Sequence, residues 1–595
     1  MSQSEVLEFV EKVIRIPSLT LCALSQDGRS ALFLSDLSGS YQLWSADTST
    51  GKLAQVSHGD QRVSFAEISP DSKSVAFIRD FEGAERHQFF LVPITGMKEE
   101  VQVSDLKDVR VSEFDWSPDG TEIAVAGCTA TDQCLWTLNP KTKTHEELYS
   151  SHGYIFSPAY SPDGKRIAAM AKTTDAPRSS ELLVLHRRTG EVNLYSPKLG
   201  SENATPKWHP KGRRLLFKTN AKGKYDLAVY DHSEQKLTYL NASHVGVDFI
   251  SYGWMPKGDA VWFVAVRNGR TRLYIQNKEG DLRLVPTPIG KIDNAKLNKG
   301  GSFFIFSWSS LSNPPQLAKL DLKTKKVSTI YSPRYDKGLP LGISQFMTYG
   351  SLDGLKIPAF MLFSGSRRPK PLVIWPHGGP WWEVADEWNP VIQSICMAGF
   401  HVFCPNFRGS TGYGAEFERM DIGDAGGKDF QDVLAGVKFV REKGFVDDGR
   451  IAITGASYGG FMTFLAMTKE PGLWKAGAAI VGITDWKEMY DLSDALYRDF
   501  VVDMLGKPEE NAELYRDRSA INFVSQIEAP ILIWHRANDS RAPLLPVQRF
   551  ASKLQALGKP YEFHVVEGEG HGAQKTDNLV KQYRHVVSFL LKNLS

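Results

Sequence analysis

Residues 450–460 read RIAITGASYGG, and this stretch decides the fold. A short apolar run, Ile451, Ala452, Ile453 and Thr454, passes straight into Gly455, Ala456, Ser457, Tyr458 and Gly459. Residues 458–468 then take up helical spacing. A strand, Gly-x-Ser-x-Gly and a helix in that order place a serine on a sharp turn that holds its hydroxyl clear of a sheet. Gly455 and Gly459 stand where side chains would collide across that turn. Ser457 is the expected nucleophile. The alternative is a glycine-rich helix start that serves packing alone.

Outward from this turn, short apolar strands alternate with helical stretches. Strand candidates are 372–375, 401–404, 451–454, 478–483, 531–534 and 562–566, and helical patterns fill 428–441, 458–468 and 545–557. Such alternation means a parallel sheet covered on both faces. With the serine turn it predicts an α/β-hydrolase fold, doubly wound and mostly parallel, over residues 336–595. In that fold the chain order is serine, acid, histidine. His535 ends a strand, His564 lies within one and His585 sits on the terminal helix. His571 alone follows the last strand on a loop, EGEGHG, whose glycines would give its ring access to the serine. Asp539 follows the preceding strand in ILIWHRANDSRAP. A serine needs a base. His571 is that candidate, and Asp539 is the candidate to fix its tautomer and stabilise the imidazolium. A loop histidine and a turn cap are the alternatives. The tetrahedral oxyanion needs two backbone donors. Tyr458, the residue after the serine, should supply one. Gly379, in the sequence His377, Gly378, Gly379, Pro380, should supply the other.

Residues 21–335 are written differently. One phrase recurs: LSQDGRSALFL at Leu24, ISPDSKSVAFI at Ile68, WSPDGTEIAVA at Trp116 and YSPDGKRIAAM at Tyr160. Weaker copies begin at Trp208, Trp254 and Leu297. The turn residue falls at Gly28, Ser72, Gly120, Gly164, Gly212, Gly258 and Gly300, with gaps of 44, 48, 44, 48, 46 and 42 residues. Asp-Gly makes a tight turn with positive φ, and a period of 40–50 residues means one four-stranded blade per copy. The reading is a seven-bladed β-propeller, with a β-sandwich as the alternative. Residues 1–20 carry apolar positions Val6, Phe9, Val10, Val13 and Ile14 at helical spacing. A propeller has no use for a leading helix, so it is expected to pack on the C-terminal domain.

The 595-residue chain exceeds one ordinary domain. Lys plus Arg number 70 against 68 Asp plus Glu, a net charge of +2 that argues against a nucleic-acid partner. No run approaches the 18 apolar residues of a membrane span, and Glu5, Glu8 and Glu11 occupy the place of a signal peptide's apolar core. The five cysteines are sparse and odd in number, as for free thiols in a reducing cytoplasm. No metal or cofactor motif is present, so no cofactor is expected.

The segments HGGP at His377, NFRGSTGYG at Asn406, GGKDFQDV at Gly426 and GASYGG at Gly455, with the Asp539–His571 spacing, resemble the prolyl oligopeptidase family of serine peptidases. The likeness spans nearly the whole chain, because that family sets a propeller before an α/β-hydrolase domain. DWKEMYDLSDALYRDF from Asp485 and NDSRAPLLP from Asn538 resemble its acylaminoacyl peptidase branch. Arg536, Ala542 and Pro546 depart from the common family wording near the acid and match that branch. The resemblance implies removal of an N-acylated amino acid from short peptides, and a homodimer or larger homo-oligomer. It implies a pocket for the residue before the scissile bond at Ile483, Trp486, Tyr497, Phe500 and Val501, which are otherwise ordinary core. It gives Arg541 the substrate's acyl carbonyl, with a surface salt bridge as the alternative. The propeller offers no catalytic residue and is expected to restrict access to short peptides. A dipeptidyl aminopeptidase would need acidic residues for a free amine; the pairs at Glu99 and Glu146 read as solvated blade edges. A carboxylesterase would use the same triad, and a non-enzymatic scaffold would not need one.

Overall fold

The computed structural model describes residues 2–96, 99–106 and 108–594. Seven four-stranded antiparallel sheets follow one another along the chain, each with its strands in sequence order. Their first strands are Thr20–Leu24, Val63–Ile68, Arg110–Trp116, Ile155–Tyr160, Asn203–Trp208, Asp248–Trp254 and Lys291–Leu297. Blade one and blade seven exchange no strand. Their seam is bridged by side chains, among them Asn294, whose amide donates to the Leu21 carbonyl at 2.9 Å.

The recurring phrase builds one turn. The Ser25, Ser69, Ser117 and Ser161 hydroxyls each donate to the aspartate two residues on, at 2.6–2.7 Å. Each also accepts the amide five residues on, at 2.9–3.0 Å. The fourth residue is left-handed, φ +73° at Gly28 and +71° at Gly120, and in blade two a serine, Ser72, holds φ +57°. A Cβ on Gly120, Gly164 or Gly212 would sit 3.7 Å from the turn proline of the preceding blade, so the turns touch round the ring. Blade seven needs a correction. The left-handed residue is Gly301, φ +68°, not Gly300. Asn298 takes the serine's place there, its side chain accepting the Ser302 and Phe303 amides.

The second sheet has eight strands: β1 Ile343–Gly350, β2 Lys356–Phe363, β3 Lys370–Ile374, β4 His401–Pro405, β5 Val446–Ala456, β6 Ala476–Ile480, β7 Ile531–Arg536 and β8 Tyr561–Val566. Their order is β1-β2-β4-β3-β5-β6-β7-β8. Strands β3 to β8 pair in parallel, and the antiparallel β1–β2 hairpin, which the sequence reading passed over, forms one edge. The N-terminal helix, Gln3–Ile14, opens with a Ser2–Glu5 capping box and buries Val6, Val10, Val13 and Ile14. Val6, Val10 and Ile14 join one apolar cluster with Val580, Tyr583 and Val587 of the C-terminal helix, Thr576–Leu594. The leading helix thus packs on the hydrolase domain. Among the described residues, no helix is long and apolar enough to cross a membrane.

The two domains meet through ion pairs, buried at Lys172 and Arg178 and half-exposed at Arg270. Lys172 reaches Asp499 at 2.7 Å and Asp503 at 2.5 Å, Arg178 binds Glu418, and Arg270 meets Asp386 at 2.7 Å.

Candidate active site

Strand β5 runs into Ser457, whose φ of +59° and ψ of −119° are strained for any residue with a side chain. The strain is held by backbone on every side. A Cβ at Gly455 would lie 2.7 Å from the Pro376 and Gly459 backbone, one at Gly459 would strike the Pro376 carbonyl, and one at Gly460 would lie 2.6 Å from the Ile480 carbonyl. The Ser457 amide donates to that same carbonyl at 2.9 Å. The helix Tyr458–Lys469 begins at once, so the Tyr458 N–H is a first-turn donor with no helical acceptor. The Tyr458 ring is buried beneath it, its hydroxyl bound to Asp429. The loop after β3 crosses the same turn: a Cβ at Gly378 would sit 3.5 Å from Ser457 Cβ, and Gly379 follows with φ +117°. His377 faces away. Its Nε2 meets the Ser410 hydroxyl at 2.8 Å, and burial pushes its pKa down to about 4.

Ser457, Asp539 and His571 follow the C-terminal ends of β5, β7 and β8, so all three loops share one edge of the sheet. His571 Nδ1 lies 2.9 and 2.8 Å from the two carboxylate oxygens of the buried Asp539. The Arg541 and Ala542 amides donate to Asp539 Oδ1 at 3.0 and 2.9 Å. Burial alone would raise this carboxyl; the charge and hydrogen bond of His571, helped by His535 and the Ala542 amide, outweigh it and leave the pKa below its ordinary value. Arg536 fixes the histidine loop from below, Nη1 donating to the His571 carbonyl at 2.6 Å.

A cavity of about 430 Å³ opens over His571 and lies between the domains. Its hydrolase wall includes Tyr497, Arg541 and His571, and its propeller wall includes Arg62, Asp80, Glu85 and Arg110. Arg541, the expected acyl-carbonyl donor, is held by a propeller carboxylate: its Nε lies 2.8 and 2.9 Å from the Glu85 oxygens, and its Nη2 binds the same group. Arg110 binds Glu85 too, and ties it to Asp494 at 2.9 Å and Ser540 at 3.0 Å. Burial would raise the Glu85 carboxyl, yet the two guanidiniums hold it well below the usual carboxylate range. Among the described residues, Arg541 Nη1 has no partner.

Glu85 lies in the connection DFEGAERH, residues 80–87, between the second and third strands of blade two. This connection touches the histidine loop directly. A Cβ at Gly83 would fall on the backbone of Gly570, and one at Gly570 on that of Gly83. Gly570 therefore serves contact with the propeller, where the sequence reading gave the flanking glycines only the freedom of the histidine ring. The Asn538 side chain donates to the Glu82 carbonyl at 2.8 Å, and Gln574 to Asp80 at 3.2 Å. In sequence the connection shows only three acidic residues, Asp80, Glu82 and Glu85, in a link too long for a two-residue turn, which does not say what they meet.

The five pocket candidates share one apolar cluster, with Ile483, Trp486 and Val501 buried in it and Tyr497 and Phe500 packed against it, edge-on to each other at 6.0 Å. Tyr497 lines the cavity beneath the Arg110 guanidinium, 5.1 Å from its ring centre. Phe500 packs edge-on against Trp381. Ile483 lines a separate small crevice with Ala542. Trp486 and Val501 are wholly buried, Trp486 edge-on to Phe461. Of the distant acidic pairs, Glu100 is a half-buried partner of Arg79 at 2.7 Å, and Glu146 is an exposed one of Arg187 at 2.8 Å.

Residues 387–595 match the model of the prolyl oligopeptidase family. The catalytic domain belongs to that family. Residues 154–342 match a TolB β-propeller domain. Relatives include an uncharacterized peptidase, YuxL, of Bacillus subtilis, 24% identical over 93% of each chain. Dipeptidyl-peptidase 5 of Porphyromonas gingivalis is 23% identical over 95% of this chain and 85% of that one. The human acylamino-acid-releasing enzyme is 26% identical over 40% of this chain and 34% of that one. Among solved structures, a puromycin-hydrolyzing peptidase of Mycobacterium tuberculosis superposes with a TM-score of 0.86 at 18% identity, covering 98% of this chain and 96% of that one. The matched residues, 387–595, include Ser457, Asp539 and His571.

Proposed function

We propose that this peptidase removes N-acylated amino acids from the N-terminus of short peptides. Ser457 attacks the scissile carbonyl while His571 takes its proton, and Asp539 steadies the imidazolium. The Tyr458 and Gly379 amides receive the oxyanion. His571 then protonates the leaving amine, and water releases the acyl amino acid from the serine. The observation that carries the acyl preference is the state of Glu85. Two guanidiniums already satisfy this carboxylate, and one of them, Arg541, lines the cavity. Such a wall suits a neutral acyl carbonyl better than an ammonium group.

One observation favours a second reading, a dipeptidyl aminopeptidase: Asp80 and Glu85 are both propeller carboxylates on the cavity wall. Acetyl-aminoacyl and free dipeptidyl p-nitroanilides with the same P1 residue decide between them. We expect the acetylated substrate to have the higher kcat/KM by about tenfold or more; the reverse order refutes the acyl reading. Equal rates on small esters with neither amide cleaved would point instead to a carboxylesterase.

A further inference from the structure

Strand β8 is the last of its sheet, and side chains along a strand alternate between faces. Glu562 and His564, two residues apart, share a face, and the C-terminal helix brings His585 onto it. His585 Nε2 lies 2.8 Å from Glu562 Oε2, and His564 Nε2 lies 3.7 Å from the same oxygen. The three potential donor atoms all lie within 4.8 Å of one another. The two imidazoles meet edge-on at 4.3 Å between centres, and His564 stacks at 5.1 Å on Trp534, its cross-strand partner in β7. His564 Nε2 is shut off from solvent and has no hydrogen-bond partner among the described residues. A buried ring nitrogen left in that state is costly. None of the three side chains lines the cavity over His571.

We propose that Glu562, His564 and His585 form a binding site for one divalent transition-metal ion of the zinc type. Two imidazoles and a carboxylate are a zinc donor set, whereas calcium and magnesium take oxygen ligands. Zinc bonds of 2.0–2.1 Å at tetrahedral angles set donors about 3.3 Å apart, and the separations of 2.8 and 3.7 Å straddle that value. The three side chains are each about one-third exposed, although His564 Nε2 itself is covered. Lys581, one turn before His585, is the neighbouring cation, and it is exposed and free to swing into solvent. The ion would fasten the edge strand to the C-terminal helix, on which the N-terminal helix packs, and would leave catalysis untouched.

The test uses the full-length protein, stripped by chelator and dialysed against zinc. We expect saturable binding of one ion per chain. His564→Asn and His585→Gln should each weaken it by about tenfold or more, His571→Gln should not, and His585→Gln should keep its kcat/KM. Cobalt added to the wild type should give the visible absorption of a four-coordinate site, lost on adding zinc; this readout needs no variant to fold. Absence of saturable zinc binding, or binding lost in His571→Gln and kept in the other two variants, overturns the proposal.

Discussion

Two backbone-on-backbone contacts, both made by glycine, frame the candidate site. In the serine turn, Gly455, Gly459 and Gly460 let β5, β6 and the loop after β3 close on Ser457. Between the domains, Gly83 lies on Gly570 and seats blade two against the histidine loop. The first contact is internal to the hydrolase and shapes the reacting serine. The second joins residues nearly 500 positions apart, and brings Glu85 to Arg541. Reactivity thus belongs to one domain, and recognition is shared by two.

The first way to break this division is Gly459→Ala. Its new methyl would meet the Pro376 carbonyl, backbone that cannot give way, and would displace the Tyr458 amide. Loss of an oxyanion donor costs about 10²–10³-fold. We expect kcat/KM to fall by at least that much and labelling by a fluorophosphonate to fail with it. Gly83→Ala strikes the second contact. The domains should part locally and misplace the histidine loop and Glu85, lowering kcat/KM by about tenfold to a hundredfold. The thermal transition should persist, and a variant that matches wild type in both would dissolve the comparison.

Asp80, beside that contact, gives a pH test. Burial raises its pKa from 3.8 to about 6. The folded state therefore holds the proton more tightly than the unfolded chain, and stability falls as pH rises through the window between those values, then levels off. Asp80→Asn should remove this loss. Its Tm relative to wild type should climb across the window, and a constant difference would refute the assignment. The smallest effect is expected far from the site. Ser72 holds a left-handed φ where the neighbouring blades have glycine. Ser72→Gly should relieve about 1 kcal/mol of strain, partly offset by a freer unfolded chain. Chemical denaturation should read a small gain in stability and unchanged kcat/KM.

What the sequence made legible follows the same division. The serine turn, the order Ser457, Asp539, His571 and the seven blades rest on local motifs or on a period, so each piece of chain carries its own signal. The Gly301 shift arose because two glycines, Gly300 and Gly301, stand side by side in that turn, and the first of them was taken for the left-handed residue. Glu85 was hidden for a different reason. Its partner Arg541 lies in the other domain and Arg110 in the next blade, and nothing in residues 80–87 names either. The pocket candidates were drawn from a resemblance: Tyr497 reaches the cavity, and Trp486 and Val501 lie buried in the apolar cluster that all five share.

The central claim is that the propeller shares in recognition while the hydrolase alone supplies reactivity. Glu85→Gln tests it most directly, with kcat/KM on an acetyl-aminoacyl p-nitroanilide measured beside the rate of fluorophosphonate labelling of Ser457. Removing a charged partner of Arg541 should lower kcat/KM by about tenfold or more, chiefly through KM, with the labelling rate unchanged. Equal losses in both rates, or no loss in either, would contradict the account.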